Sequence, residues 1–372
     1  MAAIPRTCKA AVINRLKEPV SIEEVTVPQE FEPGGMLVRT DVASLCGSDI
    51  HMWDGTIMLP IEPFLPIIPG HEMMGTIVDP GEVRFDAVGQ PIGEGDRIIW
   101  SPATCGQCFW CRVTKQESLC PNRRNYNFAS CRKYPYLVGG FSQYCYVYPG
   151  SGKIKIPAEV KSEWASAASC ALRTVVHAFE KLGAIRDYET VVVQGSGPVG
   201  LFATAMASKA GVAKLIVIGA PNDRLEIARR WGAGHVISVE TADSKQRHEQ
   251  VMTLSGGRGA DIVIEASGAR MAFREGVEMV RRGGRYLAIG QTNTYEIPFV
   301  PSAVVGREMT VFGSLSAETT DHYRAMEFMR NNYQRFDFDA MVTARYPLSK
   351  INDAYSAMVS FKDIKSIILP QE

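Results

Sequence analysis

The sequence predicts a two-part α/β chain: an irregular β-rich domain and a doubly wound parallel sheet covered by helices on both faces. Three observations carry this reading. Residues 1 to about 170 are rich in Pro, Gly and Cys and hold short β-like runs such as Met36–Val42. Short runs between turn signals mark an irregular, barrel-like β domain. From about 171 to 316, apolar runs alternate with helical patterns. Continuous apolar strands separated by helices indicate a parallel sheet buried on both sides. One of those strands runs straight into Gly-x-Gly-x-x-Gly.

The elements of the second part follow in order. Strands are expected at Val191–Val193, Leu215–Ile218, Val236–Val239, Asp261–Ile264 and Tyr286–Ile289, and helices at Leu201–Ala210, Asp223–Trp231 and Met271–Arg281. Met309–Gly313 reads as the last strand of this sheet. Residues 317–372 hold one helical stretch, Thr320–Asn331, and a short mixed tail expected to return to the first domain. The boundaries so drawn are 1–170 with 317–372, and 171–316.

With 372 residues, 46% hydrophobic and 22% charged, the chain has an ordinary globular composition. Lys+Arg and Asp+Glu balance at 40 each. That excludes a general electrostatic grip on nucleic acid or an acidic membrane. No apolar run approaches the roughly 18 residues of a membrane span. No leader is visible at Met1–Cys8, so the cytoplasm is the expected compartment. There, nine cysteines read as metal ligands or free thiols rather than disulfides.

Val191-Val192-Val193-Gln194 enters Gly195-Ser196-Gly197-Pro198-Val199-Gly200. Gly195 permits a tight turn, Gly197 lets backbone approach a pyrophosphate, and Gly200 lets the helix pack on the strand. A helix N-terminus then offers N–H groups to the phosphates. The acidic residue expected at the end of the next strand, for the ribose hydroxyls, is missing. Gly219 stands in its place. A site without that carboxylate does not repel a 2′-phosphate, and Arg224 is able to pair with one. Alternatively, Arg224 is a solvated helix residue and Asn222 or Asp223 serves the ribose. NAD(H) is favoured only narrowly over NADP(H).

The cysteines fall into two sets. Cys105-x2-Cys108-x2-Cys111-x8-Cys120 places four thiols in one short stretch, enough to close a tetrahedral Zn2+ site with no open position. Such a site is structural. The second set is dispersed: Cys46 in Cys-Gly-Ser-Asp-Ile-His, His71 in Gly-His-Glu, and Cys170 in Ala-Ser-Cys-Ala. Two Cys and one His leave a fourth zinc position open, as catalytic zinc requires.

Taken together, Cys-Gly-Ser-Asp-x-His (46–51), Gly-His-Glu (70–72), the four-cysteine lobe (105–120), Gly-Gly-Phe-Ser-Gln-Tyr (139–144) and the Gly-rich turn (195–200) resemble the zinc-containing medium-chain alcohol dehydrogenases over essentially the whole chain. The resemblance implies a GroES-like catalytic domain, a Rossmann cofactor domain, and hydride transfer between an alcohol and NAD(P)+. It implies two zinc ions per subunit. Cys46, His71 and Cys170 would hold the catalytic one, with the metal acting as a Lewis acid, and the lobe the structural one. Glu72 would be the acid beside the metal, Asp49 the partner orienting the His71 ring, Ser48 the hydroxyl touching the substrate oxygen, and His51 the outer end of a proton relay. Thr174 would pack by the nicotinamide, Lys365 would sit on the pyrophosphate, and Ile289 would join the cofactor site. The chain departs from the pattern in the lobe, where x8 replaces the usual x7, and in the long 52–69 segment.

Trp53, Phe64, Trp100, Phe109 and Trp110 are expected near the cleft or the lobe. If they line the cleft, with Trp53 and Trp100 as pocket walls, they favour a bulky or hydrophobic primary or secondary alcohol. Cys8, Cys131 and Cys145 read as ordinary thiols. The basic stretch Arg123–Lys133 reads as a solvated loop, or as a contact for an acidic substrate. A zinc-independent nucleotide-binding sensor or reductase of the same superfamily is the rival reading. It predicts loss of a ligand, yet all three are present. The resemblance also implies that the Met309–Gly313 edge pairs with its copy in a dimer or tetramer, which removes an exposed edge.

Overall fold

The computed structural model describes residues 4–291, 294 and 296–372. It divides into two compact units. The first is Met1–Arg173, Ala317–Tyr333 and Met341–Glu372; the second is Thr174–Ser316 with Gln334–Ala340.

The first unit opens with the antiparallel pair β1 (Thr7–Val12) and β2 (Ser21–Thr26). β3 (Met36–Ser44) is the spine of the main sheet, and α1 (Gly47–Asp54) follows directly. Next come β4 (Glu72–Asp79), β5 (Arg97–Trp100), the short α2 (Phe109–Arg112), β6 (Tyr144–Val147) and β7 (Lys153–Lys155). α3 (Ser162–Ala167) continues through a π-helical turn, Ala168–Leu172, into α4 (Arg173–Leu182), which from Thr174 on belongs to the second unit. The core is aliphatic and aromatic: Met36, Val38, Leu45, Met52, Ile77, Ile98, Trp100 and Phe141 are all buried in it.

The second unit is a six-stranded, wholly parallel sheet built from β8 (Thr190–Gln194), β9 (Lys214–Gly219), β10 (His235–Ser238), β11 (Ala260–Glu265), β12 (Val280–Ala288) and β13 (Thr310–Gly313). The spatial order is β10-β9-β8-β11-β12-β13. The order reverses between β8 and β11, which opens a crevice at the carboxyl ends of the strands. β8 is buried at all five positions, as its unbroken Thr-Val-Val-Val-Gln composition requires of a strand covered on both faces. The helices are α5 (Pro198–Ala210), α6 (Asn222–Arg230), α7 (Ser244–Leu254), α8 (Ala272–Met279) and the single turn α9 (Ser302–Val305). α7 starts at a capping box. Asp243 Oδ1 accepts the Gln246 N–H at 2.8 Å, and Gln246 Oε1 accepts the Asp243 N–H at 2.9 Å.

The chain then returns. α10 (Thr319–Asn332), β14 (Val342–Pro347), α11 (Ile351–Val359) and β15 (Lys365–Leu369) complete the first unit, whose main sheet runs β14-β15-β3-β4-β5-β7, with β6 on β3. One expectation is corrected here. Residues 334–340 belong to the second unit, not to the returning segment. Phe336 and Phe338 pack on Trp231, with ring centroids 5.8 and 5.6 Å away. Apolar burial of two Phe rings outweighs chain continuity. Among the described residues, no helix is long and apolar enough to cross a membrane.

Candidate active site

Three segments of the first unit deliver the dispersed ligand set. Cys46 stands at the N-cap of α1, His71 immediately before β4, and Cys170 inside the π-helical turn. A π turn inserts one residue into a helix and re-aims the side chains around it. The ligand atoms of Cys46, His71, Glu72 and Cys170 all lie within 4.8 Å of one another.

Asp49 organises this cluster. It is fully buried and sits one turn into α1. Its Oδ2 accepts the Cys46 backbone N–H at 2.9 Å. Its Oδ1 accepts from His71 Nδ1 at 3.1 Å and from the Gly70 N–H at 3.2 Å. With Nδ1 carrying the hydrogen, Nε2 is the ring atom that could bind a metal. Gly70 has φ 92°, and a Cβ there would press on the Phe141 ring at 2.8 Å. Only glycine brings His71 and Asp49 together by this turn. Burial lowers the affinity of His71 for its proton, but the charge and hydrogen bond of Asp49 outweigh it, and the ring holds a proton well above the ordinary histidine range. Hydrogen bonding with Cys170, then burial, pushes the Cys46 thiol up to about 11, while the same hydrogen bond holds Cys170 below its usual value.

Asn127 also reaches the His71 ring, and nothing in its sequence context marks it. Its amide is oriented by its neighbours. Nδ2 donates to Gly70 O at 2.8 Å and Tyr126 O at 3.0 Å, which turns Oδ1 toward His71 Nδ1 at 3.2 Å. The residue is buried and held at φ 70°. It lies in the Arg123–Lys133 stretch, so that stretch is not simply a solvated loop.

Lys365 is a correction. It was expected on a pyrophosphate, but at 1% exposure it is sealed in the first unit, ion-paired with Glu72, which is 0% exposed. Its ammonium also donates to Leu45 O at 3.3 Å. A group with no surface cannot meet a dissolved phosphate in this conformation. Burial would strip the Lys365 charge, but Glu72 beside it reverses that and keeps it protonated above the ordinary lysine range. Neither carboxylate oxygen of Glu72 accepts a hydrogen bond of normal geometry. Two thiols, an imidazole nitrogen and an under-satisfied buried carboxylate form the donor chemistry of a zinc site, so the residues present fit the metal.

The lobe fits as well. Sγ separations are 3.5 Å for Cys108–Cys111, 3.9 Å for Cys108–Cys120 and 3.5 Å for Cys105–Cys120. Zn–S bonds of about 2.3 Å in a tetrahedron require sulfurs about 3.8 Å apart; a disulfide requires about 2.05 Å. All four are free thiols. The Gln107 backbone N–H and Asn122 draw Cys105 down to about 6, whereas burial pushes Cys111 up to about 12.

In the second unit, the turn after β8 has the expected form. Gly195 has φ 119°, and a Cβ on Gly200 would collide with Gly195 O. Around Gly197 a Cβ would meet nothing within 4 Å, which leaves the approach open. Gly197 caps α5 and Pro198 and Val199 begin it. Proline suits a first-turn position because its missing N–H is not needed there. Ile289, just beyond β12, is buried, and its N–H donates to Glu265 O at 2.9 Å. Thr174 lies in the first turn of α4. A side chain on Gly219 would strike Ser196, whose Oγ donates to Ala220 O at 2.9 Å. Arg224 is corrected from a solvated helix residue to a buried one, 7% exposed.

Of the pocket-wall residues, Trp100 is corrected to the core. It is 4% exposed and packs edge-on to Tyr126, with centroids 6.2 Å apart. Trp53 packs on Tyr355 and donates to Glu18 O at 2.6 Å. Phe109 and Trp110 stand exposed on the lobe. Cys8, Cys131 and Cys145 are buried, and burial raises all three thiols.

Comparison with known proteins agrees with this geometry. Residues 32–158 match the alcohol dehydrogenase GroES-like domain, and residues 198–331 match the zinc-binding dehydrogenase model. The chain is 32% identical over 339 residues to 5-exo-hydroxycamphor dehydrogenase of Pseudomonas putida, covering 90% of this chain and 92% of that protein. It is 28% identical over 373 residues to sorbitol dehydrogenase of Bacillus subtilis, covering 99% and 98%. The crystal structure of an alcohol dehydrogenase from Thermotoga maritima superposes with a TM-score of 0.90 at 32% identity, covering 98% of this chain and 99% of that one. With both family models matched and relatives above 30% identity over nine-tenths of its length, the chain belongs to the zinc-containing medium-chain alcohol dehydrogenase family.

Proposed function

We propose that Cys46, His71 and Cys170 hold a catalytic zinc and that Cys105, Cys108, Cys111 and Cys120 hold a structural one. The observation that carries this is the convergence of four donors within 4.8 Å from three separate segments. When bound, the zinc supplies Lewis acidity to the alcohol oxygen and the nicotinamide accepts the hydride. The chain's own residues do the rest. Asp49 and Asn127 hold His71 by Nδ1. Lys365 pairs with Glu72, whose carboxylate would lie beside a bound metal. Ser48 takes the proton of the alcohol, and His51, one helical turn on, delivers it to water. The two are i, i+3 neighbours on α1. The Gly195–Gly200 turn and the α5 N-terminus receive the pyrophosphate.

The substrate we infer is a bulky or hydrophobic alcohol, giving an aldehyde or ketone. The support is the 52–69 segment, which joins the two zinc-site motifs and exposes Met58 and Leu59, each at 48%. The terpenoid alcohol of the Pseudomonas relative is consistent with it. NAD(H) is favoured over NADP(H), because a buried Arg224 does not offer its charge freely to a 2′-phosphate. We also infer a cytoplasmic enzyme that pairs through the β13 edge, where Val311 is exposed. The test is a steady-state screen of the purified enzyme over bicyclic, aromatic, aliphatic and polyol substrates with both cofactors. A preference for bicyclic or aromatic alcohols with NAD+ is expected; a preference for sorbitol or for NADP+ overturns the respective inference.

A further inference from the structure

The relay proposed above ends at His51, but the hydrogen bonds do not. α1 closes on Gly55, which takes φ 76° and donates its N–H to His51 O. This left-handed cap reverses the chain and brings Thr56 back onto the helix. The Thr56 N–H bonds to His51 O at 2.9 Å, and its hydroxyl lies 2.8 Å from His51 Nδ1. The same hydroxyl donates to Asp54 Oδ1 at 2.5 Å, and that oxygen also accepts the Thr56 N–H at 2.8 Å.

The direction of these bonds follows from counting hydrogens. A hydroxyl has one proton. Thr56 gives it to Asp54, so only its lone pairs face His51, and Nδ1 must be the donor. The neutral ring is therefore held as the Nδ1–H tautomer, with Nε2 bare. We propose that Thr56 and Asp54 are positioning residues for His51, fixing Nε2 as its proton acceptor and placing a carboxylate where imidazolium charge develops.

The transfer balances simply. The alcohol's O–H bond breaks as its proton forms a new O–H bond at Ser48 Oγ, the hydrogen Ser48 gives up forms an N–H bond at His51 Nε2, the Nδ1–H stays in place, and Nε2 then releases the proton to water. Other charges around α1 are otherwise engaged. Asp49 faces Cys46, Gly70 and His71. On the connection between β1 and β2, Arg15 and Glu18 pair with each other at 3.6 Å, and Lys17 donates its backbone N–H to Trp53 O at 2.9 Å. On α11, which packs on α1, Asp353 pairs with Lys350, the residue just before that helix, at 3.6 Å. Among the described residues, Asp54 is the carboxylate hydrogen-bonded into the His51 chain.

This inference rests on the relay role of His51, and the test separates the two. Asp54→Asn keeps an oxygen for the Thr56 turn but removes the charge; Thr56→Val removes the hydroxyl at nearly constant volume. Single-turnover alcohol oxidation in the zinc-loaded enzyme should slow by about 5- to 20-fold in each, a fraction of the 10²–10⁴ that proton transfer contributes. KM should stay unchanged, and added imidazole should restore the rate. In a His51→Gln background neither substitution should matter. Histidine 15N NMR should show His51 as Nδ1–H in the parent and a mixture in Thr56→Val. If His51→Gln is slow while both variants run at the parental rate, the relay stands and this inference falls. If the variants slow the His51→Gln enzyme equally, their role is only structural and it falls too. If His51→Gln is fully active, both fall.

Discussion

Replacing Lys365 by methionine would remove the ion-pair partner of the Glu72 carboxylate inside the first unit. The two groups are 1% and 0% exposed, so solvent screens almost nothing. Removing one partner of a buried ion pair costs about 3–5 kcal/mol. At about 2–4 °C per kcal/mol for domains of 150–250 residues, the melting temperature should fall by roughly 6–20 °C. Glu72→Gln alone strands the ammonium and should cost a similar amount. The double variant Glu72→Gln, Lys365→Met strands neither charge and should lie within about 1–2 kcal/mol of the parent, because uncharged replacements of similar volume are often near neutral. Urea unfolding of the four zinc-loaded proteins closes the cycle. An expected coupling energy of several kcal/mol distinguishes this pair from an exposed one, worth about 0–1 kcal/mol. A Lys365→Met protein as stable as the parent, or a double variant no better than its worse single, would refute the assignment of Lys365 to Glu72.

Three further outcomes follow from the geometry. Asn127→Gly removes the amide without forcing an alanine into φ 70°; zinc transfer to a chelator should accelerate about 10- to 100-fold, the range for outer partners of metal ligands, and the melting temperature should fall, because Gly70 O and Tyr126 O lose their buried donor. Cys108→Ser should reduce the zinc content by one ion per chain, measured by elemental analysis, and lower the melting temperature; an unchanged metal count would empty the lobe of its proposed role. His322 is buried, and burial, then the charge of Arg173, holds it well below the ordinary histidine range. The unfolded chain then binds a proton that the folded one refuses, so stability is full above about pH 6.5 and falls by about 1.4 kcal/mol per unit below it. His322→Gln should flatten that slope in unfolding titrations between pH 5 and 7.

Which parts were legible in the sequence follows from how local their causes are. The Gly195–Gly200 turn declares itself because a φ of 119° and a helix pressed on a strand both demand missing side chains within six residues. The lobe declares itself because its four sulfurs sit close along the chain. The parallel strands show because burial on both faces leaves no polar alternation. Lys365 could not be placed, because its partner lies on β4 and only the tertiary fold joins them. Trp100 was taken for a pocket wall because composition does not say which side of a strand faces the core. The seven residues 334–340 were misassigned because aromatic packing onto Trp231, not sequence adjacency, decides their unit. Asn127 and Thr56 carry no motif; their roles come from turns that fold them back onto histidines.

The π-helical turn at Ala168–Leu172 has a consequence for how this chain tolerates length changes. Each residue in a regular helix advances the bearing by about 100°. One surplus residue therefore swings Cys170 by roughly a quarter turn relative to Ser166 and the buried residues of α3. Excising a single residue other than Cys170 from this stretch would let the backbone relax to ordinary winding, with an intact sulfur, yet a thiol aimed elsewhere. The aim of the Cys170 thiol is thus specified by a register offset as much as by the residue's own identity.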